Sequence, residues 1–278
     1  MKKLFASLVL VLTLLMSSPA EAHYCGSHYY VTYKDFYQEE HNFKNCDRHY
    51  LLKDVSIYYY SNGTRRTYIS NTIFNKDGSI LVSGCSDVNH IESNGKHYFI
   101  FYKNKKYQIM DEFGNILSVK KYKYMREIAQ EKLLVKLDKR FGIVNLNDEI
   151  IVPIKYKKFE QIGKDLFLTK LNGYYGILNS SNKILIKNEH DKISPIHETF
   201  LLKKYNKFGL ASKSGEIILP IEYDKIKELD EYIVIEKDGL YGLLDSSGNV
   251  ISKPIYKKIR LNRNNIEVKL PRQNWQTL

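Results

Sequence analysis

The stretch KDGLYGLLDSSGNVISKPIYKKI, Lys237 to Ile259, gathers residue types that chemistry draws on: a carboxylate at Asp245, hydroxyls at Ser246 and Ser247, three glycines and a cluster of lysines. Acid beside hydroxyl suits general acid–base or nucleophilic work, a glycine-rich loop can cradle phosphate, and lysines hold anions. The chain, however, uses this stretch more than once. LYGLLDSSGNVI at 240–251 returns as KFGLASKSGEII at 207–218, YYGILNSSNKIL at 174–185 and RFGIVNLNDEII at 140–151. Asp245, Ser246, Ser247 and Glu216 have Asn179, Ser180, Ser181 and Asn145 as counterparts, with acid, amide and hydroxyl exchanged freely. A catalytic group does not survive such exchange, so these are turn residues. The chain has no Gly-x-Ser-x-Gly elbow, no Gly-Lys-Ser/Thr phosphate loop, no His-Glu-x-x-His and no Cys-x-x-Cys. It is read as a non-enzyme without a cofactor.

Two constellations remain. After each repeated stretch comes a second signature, KYKYM at 121–125, KYKKF at 155–159, EHDKI at 189–193, EYDKI at 222–226 and IYKKI at 255–259. Its fourth place is lysine in four successive copies, Lys158, Lys192, Lys225 and Lys258, beside the rings of Tyr156, His190, Tyr223 and Tyr256. Equivalent positions of stacked repeats line up in space, so solvent-facing lysines would form a cationic ladder for a polyanion or an acidic protein surface. Lysine on a strand edge also serves simply to prevent edge-to-edge pairing, its stem lying on apolar surface. The second constellation is the N-terminal His23, His28 and His49, where an α-amine and imidazoles could chelate Cu(II). A copper-dependent or glycan-active enzyme using this section is the rival reading.

The compartment follows from the first residues. Lys2 and Lys3, the apolar run Leu4 to Met16 and SSPAEA with Ala20 and Ala22 read as a secretory signal peptide, residues 1–22, cleaved before His23. No later run is long enough for a transmembrane helix, so a periplasmic or secreted protein is expected. Removing Lys2, Lys3 and Glu21 from 43 basic and 31 acidic side chains leaves about +11. For an exported protein that excess favours envelope polyanions, acidic glycans or acidic proteins over nucleic acid. Cys25, Cys46 and Cys85 all lie in the first third. Cys25 with Cys46 is the first choice of disulfide, and Cys46 with Cys85 the alternative.

The elements that position these residues come in a period of about 33. Gly142, Gly176, Gly209 and Gly242 follow Phe141, Tyr175, Phe208 and Tyr241. A fifth copy, KYQIMDEFGNIL at 106–117, has Gln108 in the glycine place, and NTIFNKDGSILV at 71–82 is a degenerate sixth. Apolar runs such as LLVK, FLTK and FLLK precede each aromatic-Gly pair and read as strands; the aromatic-Gly segment is a second strand and the run after the polar turn a third. Glycine within the second strand marks a bulge or a close backbone approach. MREIAQEKLLVKL at 125–137 looks helical but aligns with FEQIGKDLFLTKL, so it reads as a connector and a strand. The aromatic of the second signature is expected to stack between units, and Pro153, Pro220 and Pro254 to end the third strand.

The aromatic-Gly-[Ile/Leu] core, the Asx/Ser turn and the following Tyr-Asp/Lys-Lys-Ile resemble WG repeats, clearly over 98–270 and faintly over 65–97. Tyr or Phe stands where that family is named for Trp, and the single Trp275 lies outside the repeats in this reading, in a tail at 271–278. The resemblance implies a bacterial, exported β-repeat protein that binds or scaffolds. The expected fold is all-β: five or six three-stranded β-meander repeats of 33–36 residues in an open twisted β-solenoid, with a closed propeller-like ring as the alternative. A disulfide-pinned capping section at 23–64 precedes them.

Overall fold

Short apolar runs, each interrupted after five to eight residues by Asx- or Gly-bearing turns, favour strands over helices, and the computed structural model is all-β. It describes residues 27–34, 37–46, 49–59, 65–75, 79–263 and 265–278, with side chains from residue 70 onward. The described residues form 27 strands and no helix. Two compact units divide the chain, residues 1–133 with 145–149 and residues 134–144 with 150–278.

In the first unit β1 (Ser27–Lys34), β2 (Tyr37–Cys46), β3 (His49–Tyr59), β4 (Arg65–Asn75) and β5 (Ile80–Cys85) form one antiparallel meander in chain order. The section read as a cap therefore extends the sheet of the degenerate repeat, with His49 opposite Asn75 and Tyr59 opposite Arg65. β6 (Asp87–Ser93), β7 (Lys96–Lys103) and β8 (Lys106–Asp111) make the next sheet. Ile73, Cys85, Phe99, Phe101 and Met110, drawn from both sheets, share one core. β9 (Tyr124–Ala129) and β10 (Lys132–Leu137) are both strands, so the expected connector at 125–131 is largely strand as well.

The second unit continues with β11 (Arg140–Val144) and β12 (Ile150–Tyr156), then three four-stranded sheets in chain order. These are β13 (Lys158–Gly163), β14 (Leu166–Leu171), β15 (Tyr174–Leu178) and β16 (Ile184–His190); β17 (Lys192–Ile196), β18 (Thr199–Lys204), β19 (Lys207–Ser212) and β20 (Ile217–Tyr223); and β21 (Lys225–Leu229), β22 (Tyr232–Lys237), β23 (Leu240–Leu244) and β24 (Val250–Tyr256). A three-stranded sheet of β25 (Lys258–Asn262), β26 (Asn265–Lys269) and β27 (Trp275–Thr277) follows. Each sheet packs on the next, β15 and β16 against β17 and β18, β19 and β20 against β21 and β22. The cores sit between sheets: Leu168, Ile177 and Ile186 meet Ile193, Phe200 and Leu202, and Leu210 and Leu219 meet Ile226, Ile233 and Ile235. Full burial of each such side chain stabilises by about 1.5–3 kcal/mol, and only a neighbouring sheet provides it. No sheet among the described residues closes into a barrel, and within this unit the stack is that of an open β-solenoid.

The unit of four strands corrects the expected three. The additional strand, β13, β17, β21 or β25, begins one residue after the previous sheet ends, with no Gly or Pro to announce a change of direction. That single residue carries the crossing. The N–H groups of Lys157, Asp191, Asp224 and Lys257 donate to the carbonyls of Lys170, Lys203, Glu236 and Lys269 in the following sheet, at 2.7–2.8 Å. Trp275 is corrected too: it lies in β27 opposite Lys269, as Tyr175 lies opposite Lys170, and so holds the aromatic place of the last, shortened sheet.

The repeated glycines make the close approach expected of them. Tyr175 pairs with His190 but Ile177 with Ile186, so three residues of β16 face Gly176 alone; the same offset recurs at Gly142, Gly209 and Gly242. A Cβ on Gly176 would lie 2.7 Å from the Ile186 carbonyl oxygen and 2.8 Å from the Asn188 nitrogen. Pro153, Pro220 and Pro254 sit inside these bulges on edge strands, where no ladder N–H is required; they do not end the strand. The polar turns are Asx turns. Asp245 Oδ1 accepts from the N–H groups of Ser247 and Asn249 at 2.9 and 2.8 Å, and Asn145, Asn179 and Asp111 do the same in their copies. Bonds from Asn249 and from backbone N–H groups hold the Asp245 carboxyl below its ordinary range. An acid, an amide or a hydroxyl can fill this place because only an acceptor oxygen is needed.

Gly176→Ala is expected to destabilise the protein by about 1–3 kcal/mol, because the added methyl must push backbone away. Gly163→Ala, whose Cβ would meet nothing closer than 3.4 Å, is the control and should cost well under half as much. Urea midpoints measure both; equal shifts would contradict the close-approach role.

Candidate functional site

The change of sheet at one residue separates the two parts of the second signature. Tyr156, His190, Tyr223 and Tyr256 end one sheet with their rings buried, whereas Lys158, Lys192, Lys225 and Lys258 open the next and are exposed. The four lysines thus face solvent as a row along the edge strands of successive sheets. The rings do not join them as a binding surface: they pack between sheets, Tyr156 edge-on to Phe159 and Tyr223 with Ile226 and Ile235. Burial lifts the phenols of Tyr156 and Tyr223 above their ordinary value and keeps them neutral. His190 Nδ1 lies 3.1 Å from the Lys187 carbonyl oxygen.

Register shows what lies beside each edge lysine. Directly opposite side chains of an antiparallel pair share one face. On the sheet of β13 to β16 that row is Lys158, Lys170, Tyr175 and His190; on the next, Lys192, Lys203, Phe208 and Tyr223. The third sheet has Lys225, Glu236, Tyr241 and Tyr256, and the last Lys258, Lys269 and Trp275. Lys170 Nζ lies 4.6 Å from the centre of the Tyr175 ring and Lys158 Nζ 5.9 Å from the same ring, while Lys203 Nζ lies 5.6 Å from Phe208. The half-buried aromatics Tyr175 and Phe208 therefore support ammonium groups. Lys170, Lys203 and Lys269 were not singled out from the sequence; the final lysine of FLTK, FLLK and IEVK was visible there, but its cross-strand partner was not.

The weak sites resolve differently. Cys85 stands in the place of Tyr156, as a buried free thiol whose Sγ is 3.9 Å from the Ser83 carbonyl oxygen, so its pairing with Cys46 is not made. Cys25 and His23 lie outside the described residues, and Cys46, His28 and His49 are placed in β2, β1 and β3 by backbone alone. Among the described residues no three His, Cys, Asp or Glu side chains converge as a metal site would require, and no helix is long and apolar enough to cross a membrane.

Comparison with known families agrees with this anatomy. The model of the WG containing repeat matches residues 141–175, 208–241 and 241–266. The chain carries WG repeats at these three places. No curated protein matches the chain. The first match runs from the aromatic of one sheet to that of the next, Phe141 to Tyr175, so one sequence repeat supplies β11 and β12 to one sheet and β13 and β14 to its successor. Trp275, in the corresponding place of the last sheet, is the one tryptophan at the position from which the family takes its name.

Burial pushes the Cys85 thiol up to about 11, so little thiolate forms near neutral pH. Iodoacetamide at pH 7 should leave Cys85 unlabelled in folded protein and label it readily in urea, as read by peptide mass mapping. Fast labelling of the folded protein would contradict the packed thiol.

Proposed function

We propose that this chain is an exported, non-catalytic binding or scaffolding protein that engages an anionic polymer of the cell envelope through its repeat surface. The observation that carries this reading is the exposed row Lys158, Lys192, Lys225 and Lys258, one lysine at the same point of four successive sheets. A periodic cationic row on a scaffold of fixed repeat suits a partner whose charges also repeat, since each added contact is intramolecular once the first has formed. The exported location rests on the N-terminal residues 1–22 and on the excess of basic side chains. The Asx turns take no part: Asp111, Asn145, Asn179 and Asp245 each hold two backbone N–H groups.

Co-sedimentation of the protein with isolated envelope fractions across a salt series tests the reading. Binding should weaken as salt rises and fall severalfold in the variant K158Q/K192Q/K225Q/K258Q. Equal binding by the variant and the unaltered protein would overturn it.

A further inference from the structure

Five lysines among the described residues pair with a carboxylate, and most do not. Lys207 pairs with Asp224 at 2.5 Å, Lys237 with Glu222 at 2.8 Å, Lys204 with Glu189 at 3.6 Å, and Lys213 with Glu198. Lys158 pairs with Glu160 at 2.5 Å, but no carboxylate among the described residues pairs with Lys170, Lys192, Lys203, Lys258 or Lys269. Across the first two strands of three sheets lysine stands directly opposite lysine, Lys158 and Lys170, Lys192 and Lys203, Lys258 and Lys269, as it also does at the hairpin ends Lys103 and Lys106, Lys204 and Lys207. Like charges at directly opposed positions destabilise a sheet.

Protection of sheet edges accounts for half of each pair only. Lys158, Lys192 and Lys258 are on edge strands, where lysine discourages pairing with a further chain. Lys170, Lys203 and Lys269 are on the interior strands β14, β18 and β26, already flanked on both sides, where lysine protects nothing. A repeated, locally unfavourable arrangement on interior strands marks a site kept for a ligand.

We infer that each lysine pair is a two-ammonium clamp for one phosphate group, and that consecutive clamps on β13–β14 and β17–β18, about 10 Å apart as packed sheets are, hold phosphates several units apart along one linear, base-free polyphosphate-type polymer. This rests on the proposed anion-binding reading and names its ligand chemistry. Two ammonium groups offer up to six N–H donors and two charges, one donor of Lys158 being already on Glu160; a phosphate group, with several strongly accepting oxygens, fits them better than a single carboxylate. Nucleic acid fits less well, because the rings on which bases would stack lie beneath ammonium groups, Tyr175 beneath Lys170 and Lys158 and Phe208 beneath Lys203. The third sheet breaks the series. There Lys225 faces Glu236, whose carboxylate accepts from the Tyr241 hydroxyl, so the polymer meets one carboxylate between the clamps of the second and last sheets.

The test measures binding of the full protein to long-chain inorganic polyphosphate, with poly-glutamate and oligothymidylate of matched charge as comparisons and thermal unfolding to confirm that each variant is folded. Polyphosphate should bind best of the three. K170Q/K203Q/K269Q, which leaves the edge row intact, should weaken it about tenfold. Glu236→Lys, which adds a fourth clamp, should tighten it severalfold, a gain that damage to the fold cannot imitate. Unchanged polyphosphate binding in the interior triple variant, with loss in the edge variant K158Q/K192Q/K225Q/K258Q, would overturn the clamp and leave the anion-binding reading standing. Unchanged binding in both would overturn the two together. Tighter binding of poly-glutamate or of oligothymidylate than of polyphosphate would overturn the ligand assigned here.

Discussion

At Gly142, Gly176, Gly209 and Gly242 the fourth strand of a sheet lies against backbone with no side chain between, the missing Cβ being replaced by a carbonyl oxygen 2.6–2.7 Å from where it would stand. Three residues of that strand pass one glycine. The resulting bend sets where the strand ends and how it is aimed, so that one residue later the chain enters the next sheet. The neighbouring copies show what happens without the glycine. Thr72 in the first repeat is faced by a smaller bulge, with Gly84 at φ 69° absorbing the turn. Gln108 in the second is followed by no full strand: the bridges of Tyr107 with Tyr122 and Met110 with Ile116 survive, the Val119 and Lys120 N–H groups turn to the Asp148 carboxylate instead of a ladder, Ser118 N–H reaches the Ile109 carbonyl at only 3.5 Å, and the Ser118 hydroxyl accepts the Ile109 N–H at 3.0 Å in place of a backbone carbonyl.

That bend connects the fold to the surface. Because each sequence repeat gives two strands to one sheet and two to the next, its aromatic ends inside the stack and the lysine two residues on begins at the edge of the following sheet. Burial of the first and exposure of the second are one event. The apolar cores between sheets then fix the spacing of the lysine row, and the row inherits the regularity of the stack. Such a row needs no pocket; it needs only that successive units present the same group in the same place.

Much of this was legible in the chain. The period of 33 residues, the role of the glycines, the turn nature of Asp245 and the strand at the end of residues 125–137, past the local helical pattern, all follow from comparing the copies with one another; the strand at 124–129, read as a connector, does not. The fourth strand was not, because KFEQIG and KIKEL are polar edge strands that follow Tyr156 and Tyr223 after a single residue, without turn chemistry to mark the change. Trp275 was missed for a similar reason: the loop before it is one residue longer than in other copies, and Gln276 replaces the glycine. The interior lysines could not be found at all, since Lys170 meets Lys158 only through a cross-strand register that depends on the unseen strand. The rings of Tyr156, His190, Tyr223 and Tyr256 are buried, Tyr156 against Phe159 and Tyr223 with Ile226 and Ile235, and that burial separates them from the exposed lysine row.

The dependence of the repeat on glycine is most directly tested where glycine is absent. In Gln108→Gly the segment 116–122 gains room to lie against β8, and hydrogen–deuterium exchange of its amides, followed by mass spectrometry or NMR, reads whether a ladder forms. The account predicts slower exchange across Leu117 to Tyr122 than in the unaltered protein. Unchanged or faster exchange there would contradict the view that the close backbone approach builds the fourth strand.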